Sequence, residues 1–217
     1  MTNTEPKPLG DIGETVLQAA GQLFRQKGFN GTTVREIAAA AGMLPGSLHY
    51  RYPTKEDLLL ALMDRGIARA VTAVRLAIAP VDDPILRLRA ALRAHLRLVV
   101  GEDESIHALL YEGRSLSGPA REHMVRLRDR YDALWDGILH ASAGTGRLRP
   151  HIDLRLLRLF LLGAVNWSAQ WYSARGGHDT EGIADAFSDF VLTGLLLDPG
   201  HSTTIQTLTH DIEGATS

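Results

Sequence analysis

Apolar side chains recur along most of this chain at the three- and four-residue spacing of amphipathic helices. One stripe runs through Val16, Ala20 and Phe24, and a later stripe includes Leu88 and Leu92. Val, Ile and Thr never cluster over the length of a strand, so the pattern gives no reason to expect a sheet. The sequence therefore predicts an all-α fold of about nine helices.

Glycine, proline and capping residues set the predicted ends of these helices. Asp11 is placed to cap the first helix, and Gly28 is placed to end it. Thr33 and Thr54 each precede an acidic residue by three positions, which is the pattern of a capping box. Later helices are expected over about 54–78, 85–99, 105–114, 119–138, 154–174 and 180–197.

Two short helices joined through glycine, at 33–41 and 45–52, have the dimensions of a helix-turn-helix. On a helical wheel Leu48 and Tyr52 share the packing side of the second helix. The opposite side is small and polar, so it can approach a major groove and hydrogen-bond phosphates or base edges. The candidate DNA-contacting residues are Thr33, Arg35, Leu44, Pro45, Gly46, Ser47, His49, Tyr50, Arg51 and Lys55. The spacing alone also fits a helical protein-interaction module whose helix-turn-helix is purely structural.

The N-terminal region resembles a known family. Residues 24–64 resemble the DNA-binding region of the TetR family of bacterial repressors. The matching positions are Gly28-Phe29, Thr32-Thr33, Ile37-Ala38, Ala41-Gly42, Gly46-Ser47-Leu48 and Pro53-Thr54-Lys55-Glu56. The resemblance implies a ligand-responsive regulator that binds a palindromic double-stranded DNA operator as a homodimer. Repression is the family's usual mode, and activation stays open because the sign depends on operator position.

The same resemblance implies three parts to the chain. These are a DNA-binding domain at 1–53, a ligand-binding and dimerisation domain at 54–199, and a tail at 200–217. It implies DNA contacts at Thr33, Arg35, Ser47, Tyr50 and Lys55. The chain departs from the family where Leu44-Pro45 replaces Ser-Lys and where His49 replaces tyrosine. The family's phosphate contacts are therefore not implied at those three positions.

Two strongly apolar helices, at 154–174 and 180–197, are candidates for a dimer interface. The pattern alone fits an intrachain core equally well, whereas in the resembled family the last two helices of each chain form a four-helix interface. The candidate interface residues are Leu157, Leu161, Phe187, Phe190, Val191 and Gly194.

The first of these helices also carries an unusual cluster of aromatic and amide side chains. Asn166 and Gln170 stack one turn apart, as do Trp167 and Trp171. The cluster fits core packing, or the wall of a pocket with a few placed polar groups. The sequence of this segment resembles TetR-type regulators of lipid and sterol catabolism. The resemblance implies a small hydrophobic effector such as an acyl-CoA. The candidate ligand residues are Tyr111, Arg114, Trp135, Asn166, Trp167, Gln170 and Trp171, with Arg114, Arg121 or Arg175 for phosphates.

Composition removes several other classes of protein. The chain has 217 residues, no cysteine and a net charge of −2, so disulfides and cysteine-based metal sites are excluded. It contains no G-x-S-x-G, phosphate-binding glycine loop or H-E-x-x-H, so we expect neither an enzyme nor a cofactor. No stretch approaches the about 18 apolar residues of a membrane span, and the N-terminus lacks an apolar signal core. We therefore expect a cytoplasmic protein without a membrane partner.

Overall fold

The computed structural model describes residues 9–173, 177 and 179–197, and side-chain surroundings from residue 13 onward. Within these residues the chain forms nine α-helices, one 3₁₀ turn at Gly113–Ser115 and a single isolated bridge between Leu148 and Leu196. The all-α prediction is confirmed. The helices are α1 (Leu9–Lys27), α2 (Val34–Ala40), α3 (Pro45–Arg51), α4 (Lys55–Ile78), α5 (Pro84–Val100), α6 (Glu104–Tyr111), α7 (Gly118–Ala143), α8 (Leu154–Trp171) and α9 (Thr180–Leu195). None of the described helices is long and apolar enough to cross a membrane.

The predicted helix ends are mostly correct. Thr33 and Thr54 each form a full capping box with the acid three residues later. Gly28 ends α1 with a φ of 72°, a left-handed conformation that glycine adopts without a Cβ penalty. The prediction that Asp11 caps α1 is wrong, because the helical backbone already begins at Leu9. The predicted tail at 200–217 lies outside the described residues.

A first hydrophobic cluster, here called the head core, holds the N-terminal helices together. Phe24, Ile37 and Leu48 are buried in it, from α1, α2 and α3 respectively. The first half of α4 completes it and extends the head core to Met63. Full burial of each such side chain contributes about 1.5–3 kcal/mol.

A second cluster, here called the body core, joins α4, α5, α7, α8 and α9. The second half of α4 enters it through Ile67 and Val74, so one continuous helix connects the two cores. Trp135 of α7 lies at its centre with no exposed surface. Three arginines of α5 also pair with three acids of α9, namely Arg89, Arg93 and Arg97 with Glu181, Asp185 and Asp189. A single helix, α4, therefore contributes side chains to both cores.

Candidate functional site

The outer surface of α3 is the first candidate site. Leu48 is fully buried in the head core and Tyr52 is half-buried, which confirms the helical wheel. On the opposite side Tyr50 is 93% exposed and Leu44 is 76% exposed. Nine of the ten candidate DNA residues are exposed, namely Thr33, Arg35, Leu44, Pro45, Gly46, Ser47, His49, Tyr50 and Arg51. The head therefore presents one polar and aromatic surface around α3.

The tenth candidate, Lys55, is half-buried and has partners within the chain. Its Nζ donates hydrogen bonds to the carbonyl oxygens of Phe29 at 2.6 Å and Thr32 at 2.8 Å. The same ammonium lies 4.3 Å from the centre of the Phe29 ring. These two carbonyl oxygens bind the ammonium at the start of α4 within the chain itself. Lys55 thus connects α4 to the loop between α1 and α2.

The entry to α2 is fixed by a second local network. The Thr33 hydroxyl accepts from the Glu36 N–H at 3.2 Å and donates to Glu36 Oε2 at 2.8 Å. Lys27 pairs with the other Glu36 oxygen at 2.6 Å. Its hydrogen bond, followed by those of Thr33, lowers the pKa of Glu36 to about 2. This carboxylate therefore stays ionised and keeps Thr33 in place at the start of α2.

A cavity of about 490 Å³ is the second candidate site. It lies in the body between α4 and α8, and α5, α6 and α7 supply the remaining walls. Most of the lining surface is apolar. The residues that line it are Ile67, Ala70, His95, Leu98, Val99, Ile106, Leu109, Leu110, Tyr111, Met124, Arg128, Tyr131, Asp132, Arg158, Leu159, Leu162, Gly163, Asn166, Trp167 and Gln170. Its size and apolar walls suit a small hydrophobic molecule.

A few polar groups face this cavity from buried positions. His95 is 6% exposed, and its Nδ1 lies 2.9 Å from the Tyr131 hydroxyl. Burial lowers the pKa of His95 to about 4, and the nearby Asn166 amide only partly opposes this effect. Burial raises the pKa of Tyr131 above its ordinary value. Both rings are therefore neutral at pH 7.

The buried cation of the cavity is already balanced. Arg158 of α8 forms an ion pair with Asp132 and lies 2.8 Å from Asp136 Oδ1, in a contact that falls outside hydrogen-bond geometry. The contact with Asp132 is the main reason why the pKa of Arg158 lies above its ordinary value. Arg128, at the rim, is exposed and has no carboxylate partner among the described residues. A ligand anion would therefore meet Arg128 more readily than Arg158.

Four of the seven predicted ligand residues line the cavity, namely Tyr111, Asn166, Trp167 and Gln170. Trp135 does not: it is buried in the body core, with its ring edge-on to His95 at 5.7 Å between centroids. Trp171 and Arg114 are exposed and lie outside the lining, and the same is true of Arg121. Arg175 lies outside the described residues.

Several lining residues, including His95, Tyr131 and Arg158, are absent from the sequence prediction. No local pattern indicates His95, because its partner Tyr131 lies 36 residues away in the sequence. Two signals could have identified the others. Arg158 interrupts an otherwise apolar run, and Asp132 and Asp136 stand one helical turn apart.

The outer face of α8 and α9 is apolar and exposed in the single chain. Phe190 is 81% exposed, Phe160 70% and Trp167 66%. Gly194 is exposed on the same helix as Phe190, as predicted for an interface residue. Two interface predictions need correction, since Leu161 and Val191 point into the body core and have little surface left for a partner. The other two candidates, Leu157 and Phe187, are half-buried against the chain's own core.

A direct contact connects the cavity to the head. Tyr111, a lining residue, ends α6, and the following Glu112 accepts a hydrogen bond from the Phe29 N–H at 3.2 Å. Phe29 belongs to the head core, and its carbonyl oxygen accepts from Lys55. The end of α6 therefore bridges the cavity and the loop that precedes α2.

Two known protein families match this chain, one over the N-terminal head and one over the body. The family described as "Bacterial regulatory proteins, tetR family" matches residues 16–62, and "Tetracyclin repressor-like, C-terminal domain" matches residues 81–195. The transcriptional repressor KstR2 of Rhodococcus jostii (strain RHA1) is 27% identical over 181 residues, which cover 83% of this chain and 89% of KstR2.

Solved structures of similar fold cover most of the chain. A structure of AibR with isovaleryl coenzyme A and operator DNA gives a TM-score of 0.75 at 28% identity, and the match covers 82% of this chain and 97% of AibR. A structure of a protein named superantigen PfiT gives a TM-score of 0.75 at 32% identity, and the match covers 90% of this chain and 100% of PfiT.

Proposed function

The chain belongs to the TetR family of bacterial regulatory proteins, and from that premise we propose a mechanism for it as a transcriptional repressor. It binds a palindromic operator as a homodimer and releases the operator when a small hydrophobic ligand, such as an acyl-CoA, fills the cavity. The observation that carries this proposal is the hydrogen bond between Glu112 and Phe29, because it joins the cavity wall to the DNA-binding head.

The α3 surface is proposed to enter the major groove. Tyr50 and Ser47 are exposed on the face opposite buried Leu48, so they can reach base edges or phosphates. Arg35 and Arg51 flank this surface, and residues 43–55 carry no acid, which favours phosphate contacts despite the net charge of −2. Lys55 is proposed to act by positioning the α2 entry, because its ammonium already binds two carbonyl oxygens.

The apolar face of α8 and α9 is proposed to pair with its copy. Phe160, Trp167 and Phe190 together would expose an apolar patch unusual for a monomer. Pairing two α8–α9 faces forms a four-helix interface, and obligate interfaces bury about 2,000 Å² or more. A two-fold dimer presents two α3 helices, so the half-sites should lie about 34–36 Å apart on one face of the DNA.

The proposed ligand acts through α8 and α6. Trp167 and Gly163 line the cavity and are also exposed beside the proposed interface. Tyr111 lines it from α6, next to Glu112. A ligand that prefers one position of these helices changes the separation or orientation of the two heads. The solved AibR structure holds isovaleryl coenzyme A, which supports an acyl-CoA as the class to test here.

Fluorescence anisotropy with labelled DNA from the chain's own upstream region tests this function. We expect binding that weakens steeply with salt, and loss of that binding in Tyr50→Ala. Leu76→Ala, an exposed apolar position on α4, is the matched control and should bind normally. A panel of acyl-CoAs and fatty acids should include a member that lowers operator affinity about 5–150-fold. Failure of the protein to bind its upstream DNA, or of every panel member to release it, contradicts the proposal.

A further inference from the structure

The N-terminal end of α3 carries an exposed aliphatic side chain. Leu44 is 76% exposed, and among residues 13–63 of the described chain Tyr50 is the only other large apolar side chain with most of its surface exposed. Leu44 stands four positions before buried Leu48, so helical periodicity would turn both side chains toward the head core. Its backbone is extended instead, with φ −73° and ψ 138°, because Leu44 is the N-cap of α3. Leu44 therefore stays outside the head core, on the surface at the start of α3.

Residues 44–46 offer no side-chain hydrogen-bond donor or acceptor. Leu44 makes no capping bond, and Pro45 follows it as the first residue of the helix, without a backbone N–H. Gly46 has no side chain, and apart from neighbouring residues of its own helix no atom of the described chain lies within 4 Å of the position that a Cβ would take. The first polar side chain of α3 is that of Ser47, and Tyr50 lies almost one turn further on. The exposed surface of α3 therefore begins with an apolar segment and continues as a polar one.

The charges around this apolar segment match double-stranded DNA. Residues 43–55 contain no acid, and Arg35 on α2 and Arg51 on α3 are both exposed. A major groove has phosphates along its edges, and the one apolar group that a base pair exposes there is the C5 methyl of thymine. In helix-turn-helix proteins the N-terminal residues of the recognition helix contact the base edges. An aliphatic side chain at this end of α3 is therefore placed to contact a thymine methyl group.

We propose that Leu44 makes the operator specific for a thymine in each half-site, by packing against its C5 methyl group in the major groove. This inference rests on the proposed function, because it assigns a base preference to the α3 surface. Contact between two apolar groups removes water without leaving a hydrogen-bonding group unpaired. Cytosine at the same place presents an amino donor and no methyl group, so Leu44 would remove water from that donor without replacing the hydrogen bond. The contact therefore favours thymine over cytosine.

Deletion of thymine methyl groups from the operator tests the proposal. Deoxyuridine pairs with adenine as thymidine does and lacks only the C5 methyl group. The operator is first delimited in the chain's own upstream DNA, and each thymine is then replaced in turn, in both half-sites together. Burial of one methyl group changes a binding constant about fourfold, so replacement of the contacted thymine in both half-sites should raise the Kd of the full chain about 15-fold. Fluorescence anisotropy with labelled duplexes measures these constants.

The variant Leu44→Ala assigns the effect to this side chain. It should bind the thymine and deoxyuridine operators with constants that agree within about twofold, because the shortened side chain no longer covers the methyl group. Leu86→Ala, at a leucine of α5 that is 53% exposed, is the matched control and should keep the preference for thymine. The proposal is overturned if wild type binds the operator but no thymine shows the effect, or if Leu44→Ala keeps the preference. Failure of wild type to bind unmodified upstream DNA contradicts the proposed function as well, which distinguishes the two failures.

Discussion

Glu112 accepts a hydrogen bond of 3.2 Å from the backbone N–H of Phe29, across 83 residues of sequence. The contact joins the C-terminal end of α6, next to the cavity-lining Tyr111, to the loop that precedes the helix-turn-helix. Phe29 is also the residue whose carbonyl oxygen and ring hold Lys55. The Glu112 carboxylate therefore gives α6 a direct polar contact with this loop, beside the packing of Ala108 and Met124 in the head core.

Removal of that carboxylate should uncouple the two sites. In Glu112→Ala we expect operator affinity and ligand affinity, each measured alone, to stay within about threefold of wild type, because neither surface is changed. The factor by which ligand lowers operator affinity should fall toward one. Titration of labelled operator, followed by anisotropy with and without ligand, measures this factor. Glu122→Ala, an exposed glutamate on α7, is the control, and unchanged coupling in Glu112→Ala would contradict this route.

Substitution of Arg35 and substitution of Lys55 should have different effects on the salt dependence of operator binding. Arg35 is exposed and can contact phosphate from each protomer of the dimer, so Arg35→Ala should reduce the slope of log operator affinity against log salt by about 1.8. Lys55→Ala breaks two hydrogen bonds inside the head, so it should lower the unfolding free energy by about 1–3 kcal/mol and weaken binding with an unchanged slope. An equal loss of slope in both variants would place Lys55 on the DNA instead.

Phe190 tests the proposed dimer face. It is 81% exposed in the single chain, so Phe190→Asp should leave the protomer folded while it disrupts pairing of α8 and α9. Sedimentation should show a dimer for wild type and a monomer for the variant, with loss of operator binding. Leu76→Asp, at a position 69% exposed on α4, should remain dimeric. A wild-type monomer, or a dimeric Phe190→Asp protein, would contradict this interface.

His95 should make stability depend on pH. Its pKa is about 4 in the folded chain and about 6.5 when unfolded, so the unfolded state binds the proton first as pH falls. The contribution of neutral His95 to the free energy of unfolding is fully present above about pH 6.5. It falls by about 2 kcal/mol at pH 5 and by about 3 kcal/mol in total once the pH is below 4. Urea unfolding at pH 7 and pH 5 measures this loss.

The variant His95→Phe tests this prediction. It should lose the pH dependence of stability that His95 causes, and it should be less stable than wild type at pH 7. His123→Gln, which replaces an exposed histidine, controls for loss of an imidazole. The same decline with pH in wild type and His95→Phe would show that other groups cause it.

Local features of the fold could be predicted from the sequence, and contacts between distant segments could not. The capping boxes at Thr33 and Thr54 and the glycine end of α1 depend on neighbours within a few residues. The burial of Leu48 opposite exposed Tyr50 follows from helical periodicity. In contrast, the partners of Lys55 come from 23 and 26 residues away, and no local pattern indicates them.

The same limit explains the misplaced site residues. Leu161 and Phe160 are adjacent apolar residues, and periodicity alone does not say which one faces the chain's own core and which one stays free. Trp135 and His95 lie on different helices, and only packing decides that His95 reaches the cavity while Trp135 lies behind it.

Reciprocal linkage between ligand and operator tests the central claim most directly. Ligand affinity of the full chain is measured by tryptophan fluorescence with and without saturating operator, and operator affinity is measured with and without saturating ligand. A repressor released by its cavity ligand must show both affinities reduced by the same factor, in the range of about 5–150-fold. Ligand affinity that is equal with and without operator would contradict the account, because such a ligand shifts no equilibrium between bound and released states.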